Sequence, residues 1–287
     1  MSYFNPSPHV LIRATYLPIP IMSLLRAVLL FIQVPCYQVA STPPNKTPAR
    51  GRYDASTPWH LRIASSVIQA QQPIVWICTL ADLILILSQQ SLFPLPRVAS
   101  STIQSAICPF PSSGASIGTL SHSSSILNAT LSSSPSASPH IHATTLSLCG
   151  LLLVMFGTFL RFTCYRTLGS LFTFDLTIQP KHKLITAGPY AFVRHPAYSG
   201  SLSVMLGLAL INLTQGSWIA ECGVLGFGSD LVGGVVRTAL FVAWYTWWLA
   251  VGVHRAELED GELRKLFGKE WETYSKSVRC WFVPGVF

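Results

Sequence analysis

The feature that most limits the fold is a series of apolar runs, each near the length of a bilayer-spanning helix, separated by polar or glycine-rich connections. The runs cover Ile19 to Ala40, roughly Ile63 to Leu87, Thr144 to Phe162, Tyr198 to Leu213 and Val232 to Val253. A hydrocarbon core about 30 Å thick is crossed by about 20 apolar residues in helical form. Composition agrees: 50% of the 287 residues are hydrophobic and 10% are charged, where soluble domains carry roughly 25% charged residues. The expected fold is an all-α integral membrane protein with about five transmembrane helices and a C-terminal cytosolic amphipathic helix.

The formal charge of +8 is not a nucleic-acid signal, because the basic residues lie in connections between apolar runs and not on one polar face. Lys and Arg concentrate in 41–62, in 161–197 and after residue 254, whereas 91–143 holds Arg97 alone and 214–231 holds none. These sets alternate as the positive-inside rule requires for five spans. The N-terminus is then lumenal, and the C-terminus and both motif regions are cytosolic. Of the sequons at Asn45, Asn128 and Asn212, only Asn128 is lumenal and far from a membrane end, so it is the expected glycosylation site.

The chain divides into N-terminal helices (1–90), a Ser/Pro-rich lumenal loop (91–143) and a membrane core (144–287). The loop composition cannot bury a core and predicts disorder. The first run is long for a signal peptide and lacks a clear small-residue cleavage site, which favours a retained helix. Arg26 within it is expected to snorkel to the interface, and Asp82 within the second run to form a helix–helix hydrogen bond. Residues 214–231 read as a loop, an interfacial turn or a re-entrant piece. The seven cysteines are scattered without metal-binding spacing and read as packing residues; no metal is expected. Trp244, Tyr245, Trp247 and Trp248 suggest an aromatic belt. After His254 the chain reads as an amphipathic helix with Leu258, Leu263, Leu266 and Phe267 on its apolar stripe and Gly268 as cap or turn. Trp271, Tyr274, Trp281 and Phe282 are expected at the lipid interface.

The chemistry-bearing stretch is Leu184 to Gly200, L-I-T-A-G-P-Y-A-F-V-R-H-P-A-Y-S-G. Gly188, Pro189 and Pro196 set its backbone, and Tyr190, Arg194, His195 and Tyr198 supply donors, acceptors and charge. Polar groups at a membrane boundary are expensive to keep and point to a site. Some sixty residues later comes R-x-x-x-E-D-x-x-L-x-x-x-F-G-x-x-W-x-x-Y, beginning at Arg255.

Together these motifs resemble the isoprenylcysteine carboxyl methyltransferases, membrane enzymes of the endoplasmic reticulum, over roughly Leu168 to Gly285. The resemblance implies methyl transfer from S-adenosyl-L-methionine to the C-terminal carboxylate of an S-prenylcysteine in CaaX-type proteins. Such a carboxylate, with a reference pKa of about 3.3–3.7, is already ionised at neutral pH. No general base is required; the site must orient the anion, hold it without quenching it and exclude water.

Carried over by position, the resemblance makes Arg255 the anchor for the substrate carboxylate, a task suited to a bidentate guanidinium. Glu259, one helical turn on, becomes a contact to the ribose hydroxyls or the methionine ammonium of the cofactor. His195, Pro196, Ala197 and Tyr198 match a cofactor-binding segment, in which His195 meets the cofactor's carboxylate or its adenine. Arg194 either binds the cofactor carboxylate, with a catalytic part, or caps the helix. Tyr190 matches a contact to the adenosine. His182, Lys183, Leu184 and Ile185 match a further segment where backbone groups read the adenine edge, and Gln179 a further contact. Asp260 stands where the family usually has Glu, and its role stays open.

Other readings compete. The tail W-E-x-Y…V-P-G also resembles NADPH-dependent membrane sterol reductases, whose motif tends to carry Asn before the Tyr where this chain has Pro-Ala. A phospholipid N-methyltransferase and a non-catalytic scaffold are further alternatives. No glycine-rich dinucleotide turn follows a strand, so a Rossmann-type enzyme is not supported.

Overall fold

The apolar runs fold as helices, as their length and composition demand. The computed structural model describes residues 21–42, 44–45, 58–89, 97–108, 110, 139–172, 183–226 and 229–286. The helices are α1 (Ile21–Ser41), α2 (Trp59–Ser88), α3 (Arg97–Ile107), α4 (Thr145–Leu168), α5 (Pro196–Asn212), α6 (Trp218–Glu221), α7 (Asp230–Phe267) and α8 (Lys269–Ser277). No strand occurs among the described residues. Among them, α1, α2, α4 with its following turn, and α7 are long and apolar enough to cross a membrane. At 17 residues, α5 rises about 26 Å, at the short end of what spans a bilayer.

Local signals set several helix ends. Thr144 and Ser147 form a reciprocal cap at the start of α4. Pro196 opens α5, where its missing N–H costs nothing. Gly268, at φ 55°, ends α7 and turns the chain into α8. The fifth run and the amphipathic segment after His254 are one continuous helix of 38 residues.

The core pairing is α4 against α5. Both helices carry glycines seven residues apart, and Gly150 meets Gly207 while Gly157 meets Gly200, so the helices run antiparallel. A Cβ on Gly157 would lie 2.5 Å from the Gly200 carbonyl oxygen, and one on Gly207 2.5 Å from that of Gly150. Small residues let backbones approach where lipid offers no hydrophobic drive to associate.

Arg26 does not snorkel. Its side chain is fully buried and donates to Asp82 at 2.6 Å and to the Ile211 carbonyl at 2.8 Å. Asp82 also accepts from the Trp218 backbone N–H at 2.6 Å, joining α1, α2, α5 and α6. The Asp82 expectation of an interhelical bond thus holds. A charge in an apolar interior must be paired, and here the partner lies in the neighbouring helix, not at the surface.

The same end holds two more departures from expectation. Residues 97–107, part of the stretch read as disordered, form α3, which packs on α2. Cys108 at its end is bonded to Cys222, so these two cysteines are a disulfide and not separate packing residues. Residues 214–226 form a turn and the short α6, with Cys222 buried against Leu85, Ile86 and Ile141. Asn128 lies outside the described residues. Asn45 donates to the carbonyls of Gly169 and Phe172 at 2.7 and 2.9 Å at the opposite end of the bundle.

Candidate active site

At that opposite end, α4 finishes, α5 begins, and α7 packs on α5 and α2. The Arg194–His195 segment is held there by the C-terminal tail through two backbone bonds. Arg194 N–H donates to Cys280 C=O and His195 N–H to Trp281 C=O, both at 2.9 Å. Ser199 Oγ donates to Phe282 C=O at 2.6 Å, and Tyr274 Oη to Tyr190 C=O at 2.8 Å. Trp271, Tyr274 and Phe282 are therefore buried against the motif, not laid on lipid. The tail's aromatic residues serve as packing for the segment that carries the chemistry.

A cavity of about 220 Å³ opens between these elements. Its polar end is formed by Arg194, His195, Tyr198, Arg255 and Glu259, and its other end by apolar side chains of α2, α5 and α7, among them Ala64, Ile68, Met205 and Trp248. Lys183, Leu184, Ile185, Tyr190 and Ala197 also line it. Pro196 is buried and opens α5 without lining the cavity. Gln179 and His182 lie outside the described residues. Trp248, read as part of an interfacial belt, is 8% exposed and faces the cavity.

The polar end is a connected network. Tyr198 Oη donates to Glu259 Oε1, and Arg255 sits against the same ring, its Cζ 5.8 Å from the centroid. His195 lies between two carboxylates, Nδ1 at 3.4 Å from Glu259 Oε2 and Nε2 at 3.0 Å from Asp260 Oδ1. Arg194 Nη1 donates to Asp260 Oδ2 at 2.6 Å. Burial opposes charge on His195, but the hydrogen bonds it donates to Asp260 and Glu259 outweigh it and push the imidazole up to about 9. Burial raises the Tyr190 phenol well above its ordinary value.

The arrangement brings a carboxylate, an imidazole and two guanidinium groups to one end of a pocket whose other end is greasy. It can hold a zwitterionic group through paired charges while an anion with an apolar tail lies along the helices. Sequence reasoning left Asp260 without a role and did not anticipate Arg161. That arginine, 5% exposed, lines the cavity and donates to the carbonyls of Ala40 at 2.6 Å and Ala197 at 3.1 Å. Its position at the polar end of an otherwise apolar run was the available signal.

The site lies at one end of a bundle in which four helices, among the described residues, are long and apolar enough to cross a membrane. Residues 150–225 match the model of the isoprenylcysteine carboxyl methyltransferase (ICMT) family and so carry that family's sequence pattern. The match begins inside α4 and ends before Arg255. A probable protein-S-isoprenylcysteine O-methyltransferase of Oryza sativa subsp. indica is 31% identical over 134 residues, 46% of this chain and 58% of the relative. The protein-S-isoprenylcysteine O-methyltransferase of Dictyostelium discoideum is 29% identical over 153 residues, 52% of this chain and 53% of the relative. A Delta(14)-sterol reductase of Gibberella zeae is 28% identical over 120 residues, 37% of this chain and 24% of the reductase. The chain thus spans little more than half of these methyltransferase relatives and a quarter of the reductase. No solved structure matches it.

Proposed function

We propose that this chain is an S-adenosyl-L-methionine-dependent methyltransferase that esterifies the C-terminal carboxylate of prenylated cysteine. The observation that carries the reading is the placement of His195, Glu259 and Arg255 around one cavity that continues into apolar helices. The residues fit the cofactor: Glu259 suits its ammonium or ribose hydroxyls, His195 and Arg194 suit its carboxylate, and Tyr190 and the 183–185 backbone suit its adenosine. When bound, the cofactor supplies an electrophilic methyl group. Arg255 holds the acceptor carboxylate, which needs no base because it is already ionised. The apolar wall from α2, α5 and α7 takes the prenyl chain and keeps water from the reacting oxygen.

Residues 144–287 form the proposed catalytic core, with α2 adding wall. The protein is proposed to reside in the endoplasmic reticulum membrane with its site and C-terminus cytosolic. The Lys/Arg-rich connections at the site end and the disulfide at the other support that orientation, because disulfides persist on the oxidising side.

The test is methylation of a farnesylcysteine analogue by the purified protein with radiolabelled S-adenosyl-L-methionine. Base-labile label on the analogue is the expected product; none at any detergent or lipid condition that preserves the fold rejects the reading. The similarity to the Gibberella zeae reductase supports a second reading, an NADPH-dependent sterol reductase. Binding of NADPH in place of S-adenosyl-L-methionine would favour it.

A further inference from the structure

Asp260 follows Glu259 on α7 and is turned about 100° from it around the helix. It is 7% exposed and does not line the cavity, yet both residues it contacts, Arg194 and His195, do. Its two oxygens are divided between them, Oδ2 at 2.6 Å from Arg194 Nη1 and Oδ1 at 3.0 Å from His195 Nε2. Arg194 Nη2 also donates to the Arg279 carbonyl at 3.1 Å. The tail fixes the backbone of the same two residues. The tail thus holds the backbone of the dipeptide and one arm of Arg194, while Asp260 on α7 holds the other arm and the His195 ring.

A neutral imidazole has one N–H and one lone pair. His195 has a carboxylate beside each ring nitrogen. Both contacts are favourable only when both nitrogens carry hydrogen. The charged and titratable groups around the ring are Glu259, Asp260 and Arg255 on α7, Arg194 beside it and Tyr198 on α5, with Tyr274 of α8 near Asp260 and Arg194. Trp281 and Phe282 add uncharged rings.

We propose that Asp260 is the positioning carboxylate of the methyl-donor half of the site: without touching the ligand, it locks Arg194 in place and keeps His195 doubly protonated, with Nδ1–H turned to Glu259. The donor-binding groups therefore work as a unit whose charge is set by a residue behind them. This rests on the proposed function, and the experiment separates the two.

Binding of S-adenosyl-L-methionine to the full-length protein in detergent is measured by calorimetry between pH 6 and 10 for the wild type, Asp260→Asn, Asp260→Glu and His195→Gln. Wild-type affinity is expected to fall on a basic limb as His195 loses its proton. In Asp260→Asn that limb moves down by about one pH unit or more, Asp260→Glu keeps it, and His195→Gln lacks it. An unmoved limb in Asp260→Asn, or an equal loss of affinity at every pH, makes the residue merely structural and overturns the inference. Should Asp260→Asn not fold, the displaced limb of Asp260→Glu, if seen, overturns it and a retained one supports it. A second readout needs no ligand: the fall of the unfolding midpoint above neutral pH in the wild type should flatten in Asp260→Asn. If the wild type binds no donor, the functional reading fails, and this midpoint alone decides the role of Asp260.

Discussion

Tyr198 and Glu259, 61 positions apart, share a hydrogen bond between α5 and α7 at the polar end of the cavity. The bond ties the two motifs into one site and aims the carboxylate. Tyr198→Phe removes one donor to a charged acceptor, a contribution of about 1.5–3 kcal/mol. Donor affinity should fall roughly tenfold to a hundredfold by that figure, with the acceptor KM little changed. Equal loss on both substrates in a steady-state assay would contradict this division of labour.

Arg255 is expected to act on the acceptor. Arg255→Ala should leave a folded protein that binds the methyl donor but loses at least about tenfold to a hundredfold in kcat/KM for a farnesylcysteine analogue, the scale of a lost charge-assisted contact. Arg255→Lys should recover only part, because an ammonium cannot reproduce a bidentate fork. Turnover of Arg255→Ala at the wild-type rate would reject the anchor.

The apo protein should grow less stable as pH rises. His195 titrates near 9 when folded against an ordinary value of 6.5. A group whose folded value is raised stabilises fully below the unfolded value, and that contribution is lost as pH climbs through the folded one. The window is therefore pH 6.5 to 9, with a slope of at most about 1.4 kcal/mol per pH unit from this group. Thermal unfolding in detergent across that range, compared with His195→Gln, measures it; a flat wild-type curve would count against the charged imidazole.

Gly157→Ala should be destabilising although alanine is the better helix former. The added Cβ would press on the Gly200 carbonyl at 2.5 Å and on Val204, and such overpacking costs about 1–3 kcal/mol. Gly234→Ala, with nothing within 4 Å of the new atom, should be neutral or raise the midpoint, since glycine costs about 0.5–1 kcal/mol in a helix. Paired thermal melts check both signs.

The disulfide gives a topological test. Cys108 and Cys222 close a loop with a sequence separation of 114. Without reductant, the protein from membranes should migrate faster on denaturing gels than when reduced, and Cys222→Ser should abolish the difference. The variant should also lose about 2–5 kcal/mol of stability. Both thiols found free in freshly isolated membranes would argue against an oxidising environment at that end.

Much of this protein was legible in the linear order of residues, because a bilayer imposes length and hydropathy on each crossing segment separately. The apolar runs, the Pro196 start of α5, the Gly268 turn and the two motifs that line the cavity all follow from local rules or from short spacings. What the chain order left undecided was pairing between distant positions. Arg26 looked like an interfacial cation until Asp82 was found beside it, and the cysteines looked alike until α3 brought Cys108 to Cys222. The glycine spacing in α4 and α5 was visible, but only the antiparallel register showed which glycines meet. Asp260 is the clearest case: in sequence it is a departure from the motif's usual Glu, with no role attached. Its task appears only when the tail, the start of α5 and α7 converge, because a carboxylate acquires meaning from the charges that fall within about 3 Å of it.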